Sequence, residues 1–415
     1  MNDSARAKSP VITGTGCFCA AGTNKEEVTA SLRAAKVNCA PLPQYLFTSE
    51  LSFPVFAVGE QALSPEAHAY YRSHDIPPTA LECNRTVQLT LSALAEALIQ
   101  ADYDPARLRE RRVGIILGTT VGCTFNNESY YIAWKKGRMP DIDPVLQYLD
   151  SNVALRLQKI LNVRGPRAVI TNACASGTDA IGIGGRWLHE DFCDLVITGG
   201  TDELSRMAYH GFAGLMLTAP TPCRPFSGDR EGLNLGEGAG ILILEKRRDA
   251  GSKPQLGSIL GYGSAGDAHH PTAPHPEGRG MQEALRIAME EAGVCPDEIA
   301  YINSHGTGTP ANDRAESAAL TALGFTAATA PVVSTKGLTG HTLGAAGAIE
   351  AILTLEALRQ GSTVGTIGCK ELDPQLHPAV LLESETRQLS GPIGISQSLA
   401  FGGGNAALIL EGHRP

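Results

Sequence analysis

The stretch VITNACASGTDAIGIGG, residues 169–185, decides how this chain folds. An apolar run typical of a strand, Ala168–Thr171, is followed at once by small residues and then by helical periodicity over Thr178–His189. Cys174 lies between two alanines at this strand-to-helix turn. On this segment alone two interpretations stay open: a small buried residue in a tight corner, or a nucleophile at a helix N-terminus.

The same alternation of strand-like and helix-like segments runs through the rest of the chain. Further strands are predicted at Pro10–Thr13, Arg112–Leu117, Leu195–Thr198, Gly240–Leu244, Ile299–Asn303, Val332–Ser334 and Ala406–Leu410. Further helices are predicted at Arg85–Ala101, Gly280–Ala292, Asp313–Ala322 and Ala345–Leu358. Strands separated by helix-length segments indicate βαβ units, and therefore an α/β fold with a mostly parallel sheet.

The length of 415 residues indicates two domains or two fused halves. A polar stretch, Lys246–Lys253, divides the chain into a part over residues 1–253 that carries Cys174 and a part over residues 254–415. NACASGTDAIGIGG in the first part is echoed by GHTLGAAGAIEAIL in the second. Duplication explains this echo about as well as chance similarity between two Gly/Ala-rich helices.

Composition excludes several function classes. A net charge of −9 argues against a nucleic-acid partner. No apolar run reaches the roughly 18 residues that span a bilayer, and the start of the chain lacks the apolar segment of a signal peptide. Ten cysteines occur without paired CxxC motifs, which argues against a zinc site and for reduced thiols. We therefore expect a cytoplasmic protein without a membrane partner.

Residues able to perform chemistry concentrate in three further segments, INSHGTGTPANDRAE (302–316), STKGLTGHTLGAAGAIEA (334–351) and SLAFGGGNAALIL (398–410). They hold His305, then Lys336 and His341, and then a glycine-rich loop. Taken singly, a loop histidine is more often structural than catalytic. One thiol, two histidines and one lysine at similar turns together form a nucleophile with hydrogen-bond donors.

With these segments in this order, the chain resembles the elongating β-ketoacyl-acyl-carrier-protein synthases, decarboxylating condensing enzymes of the thiolase superfamily. The resemblance covers nearly the whole chain, from Val11 to the last predicted strand. Five motifs carry it: A-C-x-S-G at Cys174, R-P-F…G-E-G-A-G over Arg224–Gly240, H-G-T-x-T-P over His305–Pro310, K-x-x-x-G-H-x-x-G-A-A-G over Lys336–Gly347, and F-G-G-x-N over Phe401–Asn405.

The resemblance implies a thiolase-like fold, in which two halves of like topology stack as a five-layered α-β-α-β-α sandwich. The internal echo is then the trace of a duplication. It also implies a dimer, either of two copies or with a synthase-like subunit, and an acyl carrier protein as partner. Because phosphopantetheine arrives on the carrier, we expect no cofactor and no metal.

The resemblance also assigns roles. Cys174 is the nucleophile that holds the acyl group, and its backbone N–H forms the oxyanion hole with that of Phe401, the acyl gate. We expect the dipole of the following helix to activate the thiol, with His341 nearby.

His305 and His341 are expected to donate hydrogen bonds to the enolate left by decarboxylation. Lys336 supports them, with Glu350, or else forms a buried ion pair that only holds the turn. Four further residues are expected to bind substrate: Val121, Thr307, Thr309 and Asn405. The two threonines also suit local capping of their loop.

Three departures from the common family pattern favour a specialised acyl group, of polyketide or aryl-polyene type, over a saturated fatty-acyl chain. Ala400 and Gly404 replace Gly and Thr in the gate loop. The loop Thr218–Arg224 is short. The stretch Asp141–Asn152, expected to line the acyl pocket, carries polar Gln147 and Tyr148.

Two alternatives remain. A thiolase uses a second cysteine near the C-terminus, which residues 402–405 lack. A non-catalytic partner subunit of the chain-length-factor type usually lacks the nucleophile, whereas Cys174 is present.

Overall fold

The computed structural model describes residues 9–122, 128–142, 145–146, 152–328 and 330–414. Gln147 and Tyr148, on which the predicted pocket lining depends, lie outside these ranges.

Twelve strands are present within the described ranges: β1 Val11–Cys19, β2 Val113–Gly118, β3 Arg167–Ile170, β4 Leu195–Asp202, β5 Gly238–Glu245, β6 Gly257–Gly266, β7 Tyr301–Asn303, β8 Val332–Val333, β9 Ser362–Val364, β10 Thr386–Gln388, β11 Ile393–Leu399 and β12 Gly404–Gly412. All eight strands predicted from the sequence are present with shifted ends, while β6, β9, β10 and β11 were not predicted.

The α-helices of the described ranges are α1 Lys25–Arg33, α2 Pro65–Ser73, α3 Pro78–Leu81, α4 Arg85–Gln100, α5 Pro105–Arg109, α6 Glu128–Lys135, α7 Val153–Leu161, α8 Ser176–His189, α9 Arg206–Gly214, α10 Arg247–Ala250, α11 Arg279–Ala292, α12 Pro310–Ala322, α13 Lys336–Thr339 and α14 Ala346–Gln360. Short 3₁₀ turns occupy Pro296–Glu298, Leu343–Ala345 and Phe401–Gly403. The predicted helices correspond to α4, α8, α11, α12 and α14.

The strand order shows two halves of one design. Ten strands form a sheet in the order β3-β2-β4-β5-β1-β6-β12-β11-β7-β8, and β9 pairs with β10 separately. Read outward from the β1–β6 junction, each half has two antiparallel pairings followed by two parallel pairings. This mirror arrangement confirms the duplicated thiolase-like fold. The division of the chain at residue 253 stays a prediction.

Two helices form the middle layer of the sandwich. Helices α8 and α14 contact each other and strands of both halves. Nearly every residue of α14 is buried, as expected of a helix enclosed on all sides. Helix α4 covers the outer face of β1, β4 and β5, and α11 covers the outer face of β6 and β12, with α12 packed against α11. Five layers result, as predicted. They are, in order, α4, the first half of the sheet, α8 with α14, the second half of the sheet, and α11 with α12.

This topology brings the predicted site residues together. The parallel strands β3, β2 and β4 end at one edge of their half, and β8, β7 and β11 do the same in the other. Cys174 follows β3, His305 follows β7 and Lys336 follows β8. Loops at the carboxyl ends of parallel strands are the usual location of an α/β site. No helix in the described part of the chain is both long and apolar enough to cross a membrane.

Candidate active site

Cys174 lies at the sharp turn between β3 and α8. The preceding residue, Ala173, has a φ of 43°, in the left-handed region that a non-glycine residue rarely adopts. Three bonds hold this turn: the Thr120 Oγ1 donates to the Ala173 carbonyl over 2.9 Å, the Ser176 Oγ donates to it over 2.6 Å, and the Asn172 N–H donates to the Ser176 Oγ over 2.8 Å. The thiol is consequently held in one place, and it is only 4 % exposed.

Burial governs the ionisation of this thiol. It raises the pKa of Cys174 to about 12, and the charge of Lys336 and the backbone N–H of Phe401 lower the pKa by less than burial raises it. The prediction that the dipole of α8 helps to activate the thiol stays a prediction, while burial is the largest influence on the pKa of Cys174. A protonated thiol needs a nearby base before it can act as a nucleophile.

His341 is placed where it can act as that base. Its Nε2 lies 3.0 Å from the Sγ of Cys174. Burial, and then the charge of Lys336, hold the pKa of His341 well below its usual range, so the ring is neutral and able to accept a proton. Among the described residues, its Nδ1 has no hydrogen-bond partner. No neighbour in the described ranges therefore fixes the tautomer of His341.

His305 differs from His341 because its tautomer is fixed. The Nζ of Lys336 lies 3.1 Å from the Nδ1 of His305. An ammonium group only donates, so Nδ1 accepts and the ring proton is on Nε2. Burial, Lys336 and His341 hold the pKa of His305 well below its usual range. The two rings are nearly perpendicular, with centroids 5.1 Å apart.

The charge of Lys336 is balanced by Glu350. Both side chains are 1 % exposed, and the Nζ of Lys336 donates to the Oε1 of Glu350. Burial raises the pKa of Glu350 to about 7, while Lys336 opposes that rise. Lys336 therefore forms a buried ion pair and also contacts a site histidine, and whether it serves the chemistry or only holds the turn stays a prediction.

Glu316, on α12, is a site residue that sequence reasoning missed. Its carboxylate accepts hydrogen bonds from the backbone N–H groups of His305 and Gly306, both over 2.6 Å, and from the amides of Asn312 and Gln397. It fixes the turn on which His305 sits. A carboxylate eleven residues after the histidine, on a helix that follows a glycine-rich loop, was the available signal.

Phe401, the predicted acyl gate, packs face to face on Phe212, with ring centroids 5.1 Å apart and an interplanar angle of 16°. Phe212 also meets His341 edge-on, with centroids 6.2 Å apart. Position 404 is Gly in this chain, where the common family pattern has Thr. The structure explains the glycine, because a Cβ at that position would lie 2.5 Å from the Oδ1 of Asn172. No bulkier residue fits position 404 while Asn172 keeps this conformation.

A cavity of about 190 Å³ leads from the outside to Cys174. Its lining residues include Cys174, His305, His341, Phe401, Phe212, Thr272, Pro274, Thr307, Thr309 and Asn405. Thr307 and Thr309 also bond each other, with 2.9 Å between their hydroxyl oxygens. Val121 is not among the lining residues, and its N–H donates to Asp202 instead.

The donor atoms of Cys174, His305 and His341 all lie within 4.8 Å of one another, a spacing that a transition metal accepts. The ammonium group of Lys336 beside His305 opposes a second cation at this place. The prediction that the site holds no metal stays a prediction.

Known proteins match this chain over its length. The family model for the β-ketoacyl synthase N-terminal domain matches residues 8–250, and that for the C-terminal domain matches residues 256–370. A 3-oxoacyl-[acyl-carrier-protein] synthase 2 from Staphylococcus aureus (strain COL) is 35% identical over 346 residues, which are 80% of this chain and 83% of that protein.

Two solved structures are also similar. A chain of the ishigamide ketosynthase/chain length factor structure superposes with a TM-score of 0.88 at 31% identity, covering 98% of this chain and 99% of that one. A chain of the ketosynthase ApeO in complex with its chain length factor ApeC, from Xenorhabdus doucetiae, gives a TM-score of 0.81 at 32% identity, covering 98% and 99%. The chain therefore belongs to the β-ketoacyl synthase family and is a β-ketoacyl-acyl-carrier-protein synthase of thiolase-like fold.

Proposed function

We propose that this enzyme holds an acyl group as a thioester on Cys174 and joins it to malonyl-acyl-carrier protein by decarboxylative Claisen condensation. The observation that carries the proposal is the 3.0 Å contact between the Sγ of Cys174 and the Nε2 of His341, with His305 beside it at the end of a cavity. A thiol next to a neutral imidazole is an activated nucleophile.

In the first half-reaction, His341 takes the thiol proton on Nε2 as Sγ attacks the carbonyl carbon of the acyl thioester. Negative charge develops on the carbonyl oxygen, where the backbone N–H groups of Cys174 and Phe401 stabilise it. The carrier thiolate then leaves and takes the proton back from His341. The balance is one thioester broken, one formed, and one proton moved from Cys174 to the carrier thiol.

In the second half-reaction, the malonyl thioester oxygen accepts hydrogen bonds from His305 and His341. Loss of CO₂ leaves an enolate whose charge lies on that oxygen. The enolate carbon attacks the thioester carbonyl on Cys174, and the Cys174 thiolate leaves and takes up one proton. His305 suits the donor role because Lys336 keeps its proton on Nε2.

The polar lining of the cavity supports a role in binding the phosphopantetheine arm. Thr307, Thr309 and Asn405 all line the cavity. The Nδ2 of Asn405 donates to the Oδ1 of Asp267 and the carbonyl of Gly403, which fixes its amide group. Since the arm is part of the carrier substrate, we propose no cofactor of the enzyme's own.

The acyl group is of polyketide or aryl-polyene type in this proposal, rather than a saturated fatty-acyl chain. The altered gate loop at Ala400 and Gly404 and the short loop Thr218–Arg224 support it. The two similar solved structures each include a chain length factor. We therefore propose that the enzyme works as a dimer, with a synthase-like subunit of that kind, on a carrier protein.

Competition between carrier proteins loaded with matched acyl groups tests the substrate class. Saturated, polyenoic and aryl acyl carriers are mixed, and the adduct on Cys174 is measured by mass spectrometry over time, with Cys174→Ala as the blank. We expect polyenoic or aryl groups to transfer faster. A clear preference for long saturated chains contradicts the proposed substrate class but leaves the condensation chemistry intact.

A further inference from the structure

Asp202, which the proposed chemistry does not use, lies behind the nucleophile. It ends β4 and is completely buried. Its carboxylate accepts five hydrogen bonds: at Oδ1 from the Thr119 hydroxyl (2.6 Å), the Val121 N–H (3.1 Å) and the Gly122 N–H (3.2 Å), and at Oδ2 from the Thr120 N–H (2.8 Å) and the Gly344 N–H (2.7 Å). Five donors on one carboxylate exceed what a purely local turn requires.

These donors come from both halves of the molecule. Residues 119–122 follow β2 in the first half, and their Thr120 hydroxyl holds the carbonyl of Ala173, next to Cys174. Gly344 belongs to the second half and lies three residues after His341. One side chain therefore joins the loop that holds the nucleophile to the turn that follows its base.

The turn at Ala173, which the Thr120 hydroxyl holds, and the turn at Gly344 each contain a strained residue, and Gly344 is tightly packed. Ala173 and Leu343 have φ values of 43° and 52°, which non-glycine residues adopt only when their surroundings enforce it. A Cβ at Gly344 would lie 2.7 Å from the Cα of Thr119 and 2.8 Å from the Oδ2 of Asp202. The close approach lets the Gly344 N–H reach the carboxylate.

We propose that Asp202 is a positioning residue that clamps the two halves so that the Cys174 thiol and the His341 imidazole stay in proton-transfer contact. This inference rests on the proposed function. A second consequence is electrostatic, since the carboxylate charge opposes ionisation of the thiol and contributes to its raised pKa. The clamp therefore favours reaction of the thiol by keeping it beside His341, whereas the charge of Asp202 disfavours its ionisation.

Replacement of Asp202 by asparagine removes hydrogen bonds of the clamp together with the charge. Two measurements then report on the two losses: the rate of acyl transfer reports on the clamp, and the alkylation midpoint reports on the charge. The amide nitrogen of an asparagine only donates, so it cannot accept from the N–H groups that the lost oxygen served, and at least two bonds disappear. The negative charge disappears as well. In Asp202→Asn we expect acyl transfer to Cys174 to fall by about ten- to a hundredfold, because misplacing reacting groups slows reaction steeply. We expect alkylation of Cys174 by iodoacetamide to shift its midpoint to lower pH.

A buried carboxylate far from the site provides the matched control. Glu245 ends β5, is 1 % exposed, and accepts from Thr13, Tyr103 and Lys253. Glu245→Gln should lower the melting temperature without changing acyl transfer or the alkylation midpoint. Asp202→Glu, which keeps the charge, should keep the wild-type midpoint and recover part of the transfer rate.

If Asp202→Asn does not fold, Thr120→Val provides a second test of the clamp. It removes the hydroxyl that holds Ala173 and leaves the carboxylate, so transfer should fall several-fold with an unchanged alkylation midpoint. Acyl transfer within twofold of wild type in both Asp202→Asn and Thr120→Val overturns the inference. Failure of the wild-type enzyme itself to acquire an acyl group on Cys174 contradicts the proposed function instead.

Discussion

The two halves of the molecule share one strand order but carry different chemistry at the same turn. In the first half, β3 leads into α8 through Cys174, which is flanked by alanines and held by backbone and hydroxyl contacts. In the second half, the corresponding passage from β8 to α14 carries Lys336 and His341, and a buried ion pair with Glu350 supports it. One half supplies the predicted nucleophile, and the other supplies the buried lysine and the histidine that contacts the thiol.

The largest expected effect comes from removing the nucleophile that the first half supplies. In Cys174→Ala, acyl transfer from an acyl carrier should fall below detection, because the thiol in contact with His341 is gone. Mass spectrometry of the intact protein measures the adduct. Cys193→Ala, which removes a buried thiol of the same half, should be acylated like the wild type; an adduct on Cys193 would contradict the assignment.

The next effect divides the two histidines of the second half. His305→Ala and His341→Ala should each slow CO₂ release from malonyl carrier by about 10²–10³-fold, the effect of losing one oxyanion donor. Acyl transfer should tolerate the loss of His305 better than that of His341, because it is His341 that contacts Sγ. Radiolabelled CO₂ and acyl adduct are measured on the same samples. If either variant releases CO₂ at the wild-type rate, the histidine replaced in it does not serve decarboxylation.

A smaller effect tests whether the ion pair of the second half serves chemistry as well as folding. Lys336→Met leaves Glu350 buried without its partner, which should destabilise the fold by about 3–5 kcal/mol and slow decarboxylation. Lys25→Met is the matched control in the first half, where Lys25 is buried 3.5 Å from Glu356. Denaturant unfolding and CO₂ release are compared. Equal loss of decarboxylation in both variants reduces Lys336 to a structural role.

The smallest effect concerns pH. Burial holds the pKa of both site histidines low in the folded state, whereas they take up protons near pH 6.5 when unfolded. The unfolded state therefore binds more protons below pH 6.5, and each histidine lowers stability by up to about 1.4 kcal/mol per pH unit as pH falls. His305→Gln should reduce this slope between pH 6.5 and about 5 in denaturant unfolding. An unchanged slope means that His305 titrates normally.

Much of the site was predictable because its residues lie in short motifs at strand ends. Cys174, His305, Lys336 and His341 are each recognisable by neighbours in sequence, and the structure brings them together. Asp202 was not predicted, since its partners lie 80 to 142 residues away. Such long-range hydrogen bonds leave no local pattern. The burial that raises the pKa of Cys174 was equally invisible from its neutral neighbours.

The strands that were not predicted also depend on contacts with residues distant in the sequence. Strand β6 was missed because its glycines break the apolar pattern, and the structure shows their purpose: a Cβ at Gly261 or Gly263 would lie 2.2 or 2.0 Å from a carbonyl oxygen of α11. Strand β11 was missed because Ser396, Gln397 and Ser398 are polar yet buried. Gln397 and Ser398 bind Glu316 and Thr178, so the polar residues link layers of the sandwich.

Of the nine helices in the described ranges that were not predicted, α1, α2, α7 and α9 are nine residues long, and the sequence carried a start signal for each. Their N-cap residues are Asn24, Ser64, Asn152 and Ser205, and every one accepts a hydrogen bond from the N–H three residues later. Periodicity over nine residues is too weak to find such helices, whereas the caps alone mark where they begin.

The stack of Phe401 on Phe212 affects which ligands bind well in the cavity, because both rings line it. An offset aromatic pair contributes about 0.5–1.5 kcal/mol. That energy favours the stacked arrangement over an unstacked one by about two- to twelvefold. An inhibitor with a flat ring that replaces Phe401 against Phe212 regains this energy, whereas an aliphatic inhibitor of equal size does not. Aryl scaffolds are therefore the better starting point for ligands that compete with this aromatic stack.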